Sequence, residues 1–163
     1  MKTLLIVFDS VTGGARQLAE AGARGAASEP AVALRMLHAE QAASDDLMAA
    51  DGYLFATPEM LAALSGRMKS FFDRTYYAVL DRIQARPYAL MVCAGSDGRN
   101  AVRQIERIAA GWRLKAVAEP IVVCTHAQTP EAIAAAKTLS PESLRLCEER
   151  GAAMAAGLAM GIF

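Results

Sequence analysis

Leu4-Leu5-Ile6-Val7-Phe8 runs directly into Asp9-Ser10-Val11-Thr12-Gly13-Gly14-Ala15-Arg16. Five apolar residues without alternation suit a strand covered on both faces. The next residues are hydroxyls and glycines. Beyond them, Leu18, Ala19, Gly22, Ala23 and Ala26 recur at helical spacing through Gly13–Ala27. The pattern is strand, short loop, helix. The first turn of such a helix carries N–H groups without intrahelical acceptors, and its dipole favours an anion. The loop is therefore a candidate phosphate cradle. Ser, Thr and Gly before a helix are also ordinary capping residues, so the rest of the chain has to decide between the two readings.

The 163 residues suffice for a single domain with a full core, expected to span 1–163. Hydrophobic residues make up 54% and charged residues 21%, which excludes a disordered chain. Lys+Arg and Asp+Glu both number 17, so no net field attracts nucleic acid. Cys93, Cys124 and Cys147 form no C-x-x-C pair, which argues against zinc and thioredoxin chemistry. They read as free thiols of a reducing, cytoplasmic compartment. The N-terminus lacks a signal-peptide pattern, and no apolar run reaches the roughly 18–20 residues of a membrane span.

Strand and helix patterns alternate along the chain. Ala31–Leu37 reads as a second strand and Ser44-Asp45-Asp46 as the cap of a short helix. Asp51–Ala56 reads as a third strand, ended by Pro58. Leu64, Met68, Phe71, Phe72, Thr75 and Val79 mark one face of a long helix. Pro87–Cys93 is a fourth strand, Asn100–Ala110 a helix, and Leu114–Val123 a fifth strand interrupted at Pro120. Thr129–Leu139 suggests one short helix. A final helix is expected from Pro141 to about Ala156, with an apolar tail to Phe163 that docks on the domain or on a partner subunit. Five strands alternating with helices imply an α/β fold, a parallel sheet with helices on both faces. Ligands of such sheets bind outside the carboxyl ends of the strands, near the topological switch point.

The loops after strands one, three and four carry the unusual residues. They are Ser10–Ala15, Thr57-Pro58-Glu59-Met60-Leu61 and Ala94-Gly95-Ser96-Asp97-Gly98-Arg99-Asn100. The first contains neither G-x-x-x-x-G-K-[ST] nor G-x-G-x-x-G, which argues against a P-loop and the usual dinucleotide fingerprint. Ser-x-Thr-Gly-Gly without a lysine suits a terminal monophosphate held by N–H groups and hydroxyls.

Four stretches then resemble one family. The first loop resembles an S-x-T-G phosphate loop. Asp51-Gly52-Tyr53-Leu54-Phe55-Ala56-Thr57-Pro58 and Ser65-Gly66-Arg67-Met68-Lys69-Ser70-Phe71-Phe72-Asp73-Arg74 resemble that family's third strand and following helix. Ala94-Gly95-Ser96 fits its third flavin loop. The chain, from about Lys2 to Val123, is similar to the flavodoxin-like superfamily in its NAD(P)H-dependent FMN reductase and quinone oxidoreductase branch. The resemblance implies a three-layer sandwich with strand order 2-1-3-4-5. It also implies bound FMN, NADPH or NADH as co-substrate, and a small-molecule electron acceptor such as a quinone or a flavin. The alternative within the superfamily is a non-catalytic flavodoxin-type electron carrier or FMN-binding module. A homodimer or homotetramer is implied by analogy with open flavin sites in this branch.

Carried over by position, Ser10, Val11, Thr12, Gly13, Gly14 and Ala15 would surround the FMN phosphate. Pro58, Glu59, Met60 and Leu61 would line one side of the isoalloxazine. Ala94, Gly95, Ser96, Asp97, Gly98 and Asn100 would line another edge. No catalytic acid or base is required, since the flavin carries the redox chemistry. Two departures stand out. Ala15 offers no hydroxyl, and Asp9 would repel a phosphate unless it points away. Arg67, Arg99 and Arg103 are candidates for a dinucleotide phosphate or are plain surface arginines. Lys69 and Asp73 are spaced to pair along the helix. His38 and His126 read as surface or packing histidines, and Tyr76, Tyr77 and Trp112 as packing residues.

Overall fold

The computed structural model describes residues 1–163. In chain order the elements are β1 (Lys2–Phe8), α1 (Gly14–Ala26), β2 (Val32–His38), α2 (Ser44–Ala49), β3 (Gly52–Met60), β4 (Ala63–Leu64) and α3 (Gly66–Val79). They continue with β5 (Pro87–Ala94), α4 (Arg99–Gly111), β6 (Lys115–Ala116), β7 (Ile121–Cys124), α5 (Pro130–Ala134) and α6 (Pro141–Met160). The parallel strands lie in the order β2-β1-β3-β5, and β6 and β7 both pair with the outer edge of β5. This is the expected 2-1-3-4-5 order with the fifth strand split in two around Pro120. The two-residue β4 adds antiparallel to β3.

The continuous apolar strands are explained by the two layers they serve. Successive side chains point to opposite faces. Leu5, Val7, Tyr53, Phe55, Leu90 and Val92 join one core with Leu47, Met68, Phe71, Phe72, Ile105 and Trp112. Leu4, Ile6, Leu54, Ala56, Ala89 and Met91 join the other with Leu18, Ala19, Met154, Ala155 and Leu158. Helices α2, α3 and α4 thus cover one face, and α1 and α6 the other. Trp112 packs edge-on against Phe72, with ring centroids 5.3 Å apart.

Small residues let α1 and α6 approach closely. A Cβ on Gly151 would lie 1.8 Å from Gly22 O, and one on Gly25 would lie 1.8 Å from Glu148 O. The tail docks on its own domain. Helix α6 ends with Gly161 in the left-handed region (φ 64°). Gly161 N–H donates to Leu158 O and Ile162 N–H to Gly157 O, the pair of bonds of a Schellman cap. The turn folds Phe163 back onto Gly157, where any Cβ would meet its ring at 2.2 Å.

Several boundaries differ from the sequence expectation. Strand β3 passes through Pro58 to Met60. Asp9 N–H donates to Ala56 O, so by alternation Pro58 turns its nitrogen to the same side. β1 has already ended there at Phe8, and no ladder bond is lost. Helix α2 is preceded by Ala43, with Ser44 its first residue. Asp46 caps it from within by accepting from Ala43 N–H at 2.9 Å. Helix α5 occupies only five residues of the Thr129–Leu139 segment. Tyr77 is 84% exposed rather than packed. No helix is long and apolar enough to cross a membrane.

Candidate functional site

The carboxyl ends of β1, β3 and β5 meet where the chain reverses direction across the sheet, between β1 and β3. There they border a cleft of about 360 Å³. Ser10, Val11, Thr12, Gly14 and Ala15 form one wall. Pro58, Glu59 and Met60 form the second, and Cys93, Ala94 and Gly95 the third. Three loops separated by many residues in the chain therefore share one cavity, as the switch-point rule requires.

The first loop is built to present donors. Gly13 takes φ 92°, and its N–H donates to Ser10 Oγ at 3.1 Å. The first intrahelical bond of α1 is Gln17 N–H to Gly13 O. The amides of Ser10, Val11, Thr12, Gly14, Ala15 and Arg16 have no protein acceptor, and the Thr12 hydroxyl has no partner. Gly14 must be glycine on packing grounds, because a Cβ would lie 2.4 Å from Cys93 Sγ. Ala15 is buried in the layer beneath, so its free N–H, not its side chain, is what it offers the cleft.

Asp9 does not aim at this cradle. It is buried, and its Oδ1 lies 2.8 Å from Arg67 Nε and 3.0 Å from His38 Nε2. Its Oδ2 has no hydrogen-bond partner. Arg67 also donates through Nη2 to Ser10 O at 3.0 Å. Arg67 and His38 are thus supports of the first loop, roles the sequence did not reveal. Lys69 pairs with Asp73 at 2.6 Å, and Arg99 with Asp97.

The other expected residues lie around the cleft rather than on its wall. Gly98 begins α4 at φ 78°, and a Cβ there would lie 2.7 Å from Val122 Cγ1. Asn100 Nδ2 donates to Ala62 O at 2.6 Å and ties α4 to the β3–β4 hairpin. Ser96 Oγ accepts from Gln128 Nε2 at 3.0 Å. Leu61 is fully exposed at the hairpin tip, where Leu61 (φ 49°) and Ala62 (φ 62°) both take left-handed backbone. Gly98 and Asn100, expected at the flavin edge, instead pack α4 against β7 and the hairpin, and neither lines the cleft.

The cleft also has a wall that sequence reasoning missed. Thr125 and Ala127 follow β7, and Ile133, Ala134 and Lys137 come from α5 and its exit. Gln17 clips this wall to the first loop. Its Nε2 donates to Gly13 O at 3.0 Å and Lys137 O at 2.7 Å, and its Oε1 accepts from Leu139 N–H at 3.1 Å. A polar residue on the first turn of α1, near the buried stripe, was the only sequence trace of this contact.

The model of the NADPH-dependent FMN reductase family matches residues 7–129, a stretch holding all three loops. The chain belongs to that family. Among curated relatives, the chain is 34% identical to a flavodoxin of Aquifex aeolicus, over 45% of this chain and 40% of that one. It is also 34% identical to an NAD(P)H dehydrogenase (quinone) of Acidithiobacillus ferrooxidans, over 46% of this chain and 48% of that one. The chain spans less than half the length of these relatives. An archaeal flavodoxin superposes with a TM-score of 0.77 at 17% identity, covering 96% of this chain and 98% of that one. That likeness shows the flavodoxin-like fold.

The cofactor of an FMN reductase fits the residues present. Free amides and an unpaired hydroxyl surround the N-terminus of α1, as a phosphate requires. The cleft beyond them is mainly apolar and holds no aromatic side chain. Its cysteine is inert toward ionisation at neutral pH, because burial pushes the Cys93 thiol up to about 11.

Proposed function

We propose that the cleft binds FMN, with the phosphate on Ser10–Ala15 and the isoalloxazine between Pro58–Leu61 and Ala94–Asn100. The bound flavin would take hydride from NAD(P)H and pass electrons to a quinone, a free flavin or a similar acceptor. The observation that carries this reading is the set of unpaired amides of Ser10, Val11, Thr12, Gly14, Ala15 and Arg16 at the mouth of a largely apolar cleft. The protein's part is to hold and orient. The amides donate hydrogen bonds to the phosphate, while the apolar walls exclude water from the ring. The absence of a stacking aromatic leaves a ring face open to a nicotinamide.

A visible spectrum tests the proposal. Purified protein should show flavin absorption, directly or after incubation with FMN, and NADPH should bleach it. Protein that stays colourless after that incubation contradicts the assignment.

The match to the Aquifex aeolicus flavodoxin favours a second reading, a one-domain electron carrier without its own pyridine-nucleotide reaction. Stopped-flow mixing separates the two. A carrier's flavin stays oxidised with NADH or NADPH until a reductase is added. A second copy of the chain over the exposed Met60 and Leu61 would complete the open site. A dimer or tetramer in light scattering is the expected result, and a monomer at micromolar concentration overturns that part.

A further inference from the structure

Lys137 lies far from every motif that marks the first loop, yet it is built into that loop. Its N–H donates to Thr12 O at 2.8 Å, and its carbonyl accepts from Gln17 Nε2 at 2.7 Å. The Lys137 Cβ would stand 3.7 Å from a Cβ placed on Gly14. These backbone contacts fix the residue over the Thr12–Gly14 turn whatever its ammonium does. The ammonium itself donates to Ala132 O and Ile133 O at 2.8 Å each, and to Ala135 O at 2.5 Å. Those carbonyls belong to the exit of a five-residue helix, where acceptors are left over.

Charge around the cleft is sparse. Among its lining residues only Glu59 and Lys137 are ionic, and Glu59 sits on the β3 wall away from the first loop. Asp9, beside the loop, is balanced by Arg67. Arg16 is turned outward to Glu20. The positive charge of Lys137 also reaches the cleft floor, where it acts on the Cys93 thiol.

We propose that Lys137 is the cation of the phosphate seat, and that it gives the cleft its preference for phosphorylated over unphosphorylated flavin. This rests on the FMN reading above. When the anion arrives, one N–H of the ammonium exchanges a neutral α5 carbonyl for a phosphate oxygen. No covalent bond is broken, and the exchange is favourable because hydrogen bonds between two charged groups are the stronger kind. The released carbonyl is exposed and takes water. Helix α5 is thereby coupled to the cofactor, since its C-terminal cap and the phosphate share one side chain.

The test is flavin titration of the flavin-free protein and of Lys137→Met, with FMN and riboflavin as the two probes. Loss of a charge-assisted bond to phosphate should weaken FMN binding roughly 10- to 100-fold. Riboflavin binding should change less than about twofold, because it lacks the phosphate. An unchanged ratio of FMN to riboflavin affinity overturns the proposal, whether both affinities fall together or neither moves. Equal losses would mean that Lys137 only caps α5. Failure of both flavins to bind the unsubstituted protein removes the FMN reading itself. If Lys137→Met does not fold, the unsubstituted protein labelled with ¹³C-lysine decides. Its Lys137 Cε signal should move with FMN and stay with riboflavin; a signal that ignores FMN overturns the proposal.

Discussion

Arg67 Nε donates to Asp9 Oδ1 across 2.8 Å, and Nη2 of the same guanidinium reaches Ser10 O at 3.0 Å. One side chain from α3 thus offsets the only carboxylate buried beside the first loop and holds the loop's backbone. A carboxylate with 1% exposure cannot be left alone cheaply. Arg67→Met should cost roughly 1–3 kcal/mol of stability, the penalty of a buried group left short of partners. It should also weaken FMN binding, because the first loop loses the Arg67 bond that holds Ser10 O and the Asp9 charge beside the loop is no longer offset. Urea unfolding with and without FMN measures both. Equal midpoints for the two proteins would place this pair among surface ion pairs of little consequence.

The contact between α1 and α6 leaves no space for a methyl group. Gly151→Ala would put a carbon 1.8 Å from Gly22 O, which is backbone and cannot step aside without moving the helix. The helix propensity of alanine is the better one, so the sign of the outcome is informative. A loss of about 1–3 kcal/mol in urea unfolding is expected from overpacking. Stabilisation would show that the helices can separate freely.

The β3–β4 hairpin turns through two left-handed residues, Leu61 and Ala62, where glycine or asparagine is the usual choice. Ala62→Gly should relieve about 1 kcal/mol. For a chain of this size the melting temperature should rise by about 2–4 °C. A calorimetric scan checks this, and a fall in the melting temperature would mean that the turn carries no strain at Ala62.

Burial pushes the thiols of Cys93 and Cys147 up to about 11 from an ordinary 9.0. Lys137 acts in the opposite direction on Cys93, and Arg150 on Cys147, without cancelling the effect of burial. Each group holds its proton more tightly folded than unfolded. Its contribution to stability is complete below pH 9.0 and is lost as pH climbs toward about 11. The urea midpoint should therefore fall across that window, and fall less in Cys147→Ala. Identical pH profiles for the two proteins would contradict the shift at Cys147.

Legibility in the sequence followed the range of the interaction. Leu4–Phe8 and Tyr53–Ala56 read as strands because apolar runs report burial on both faces, which is a property of the segment itself. Ser65 was visible only as part of a motif, and it caps α3 by accepting from Met68 N–H at 3.3 Å. Pro58 misled, because whether a proline ends a strand depends on what the neighbouring strand offers, and β1 stops before reaching it. Asp9 was an anomaly beside a phosphate loop until Arg67, 58 residues away, accounted for its charge.

By itself the amino-acid sequence determined the alternation of strands and helices, the three loops at their carboxyl ends and the family. Each of these rests on local periodicity, turn chemistry or contiguous motifs. Only the tertiary structure decided that Arg67 and His38 serve Asp9, that α1 and α6 touch backbone to backbone, and that Lys137 closes a fourth wall over Thr12. Such contacts join residues that chain spacing does not relate. They arise when packed layers bring two elements within hydrogen-bond reach, and a residue's neighbours in the chain carry no record of which element that is.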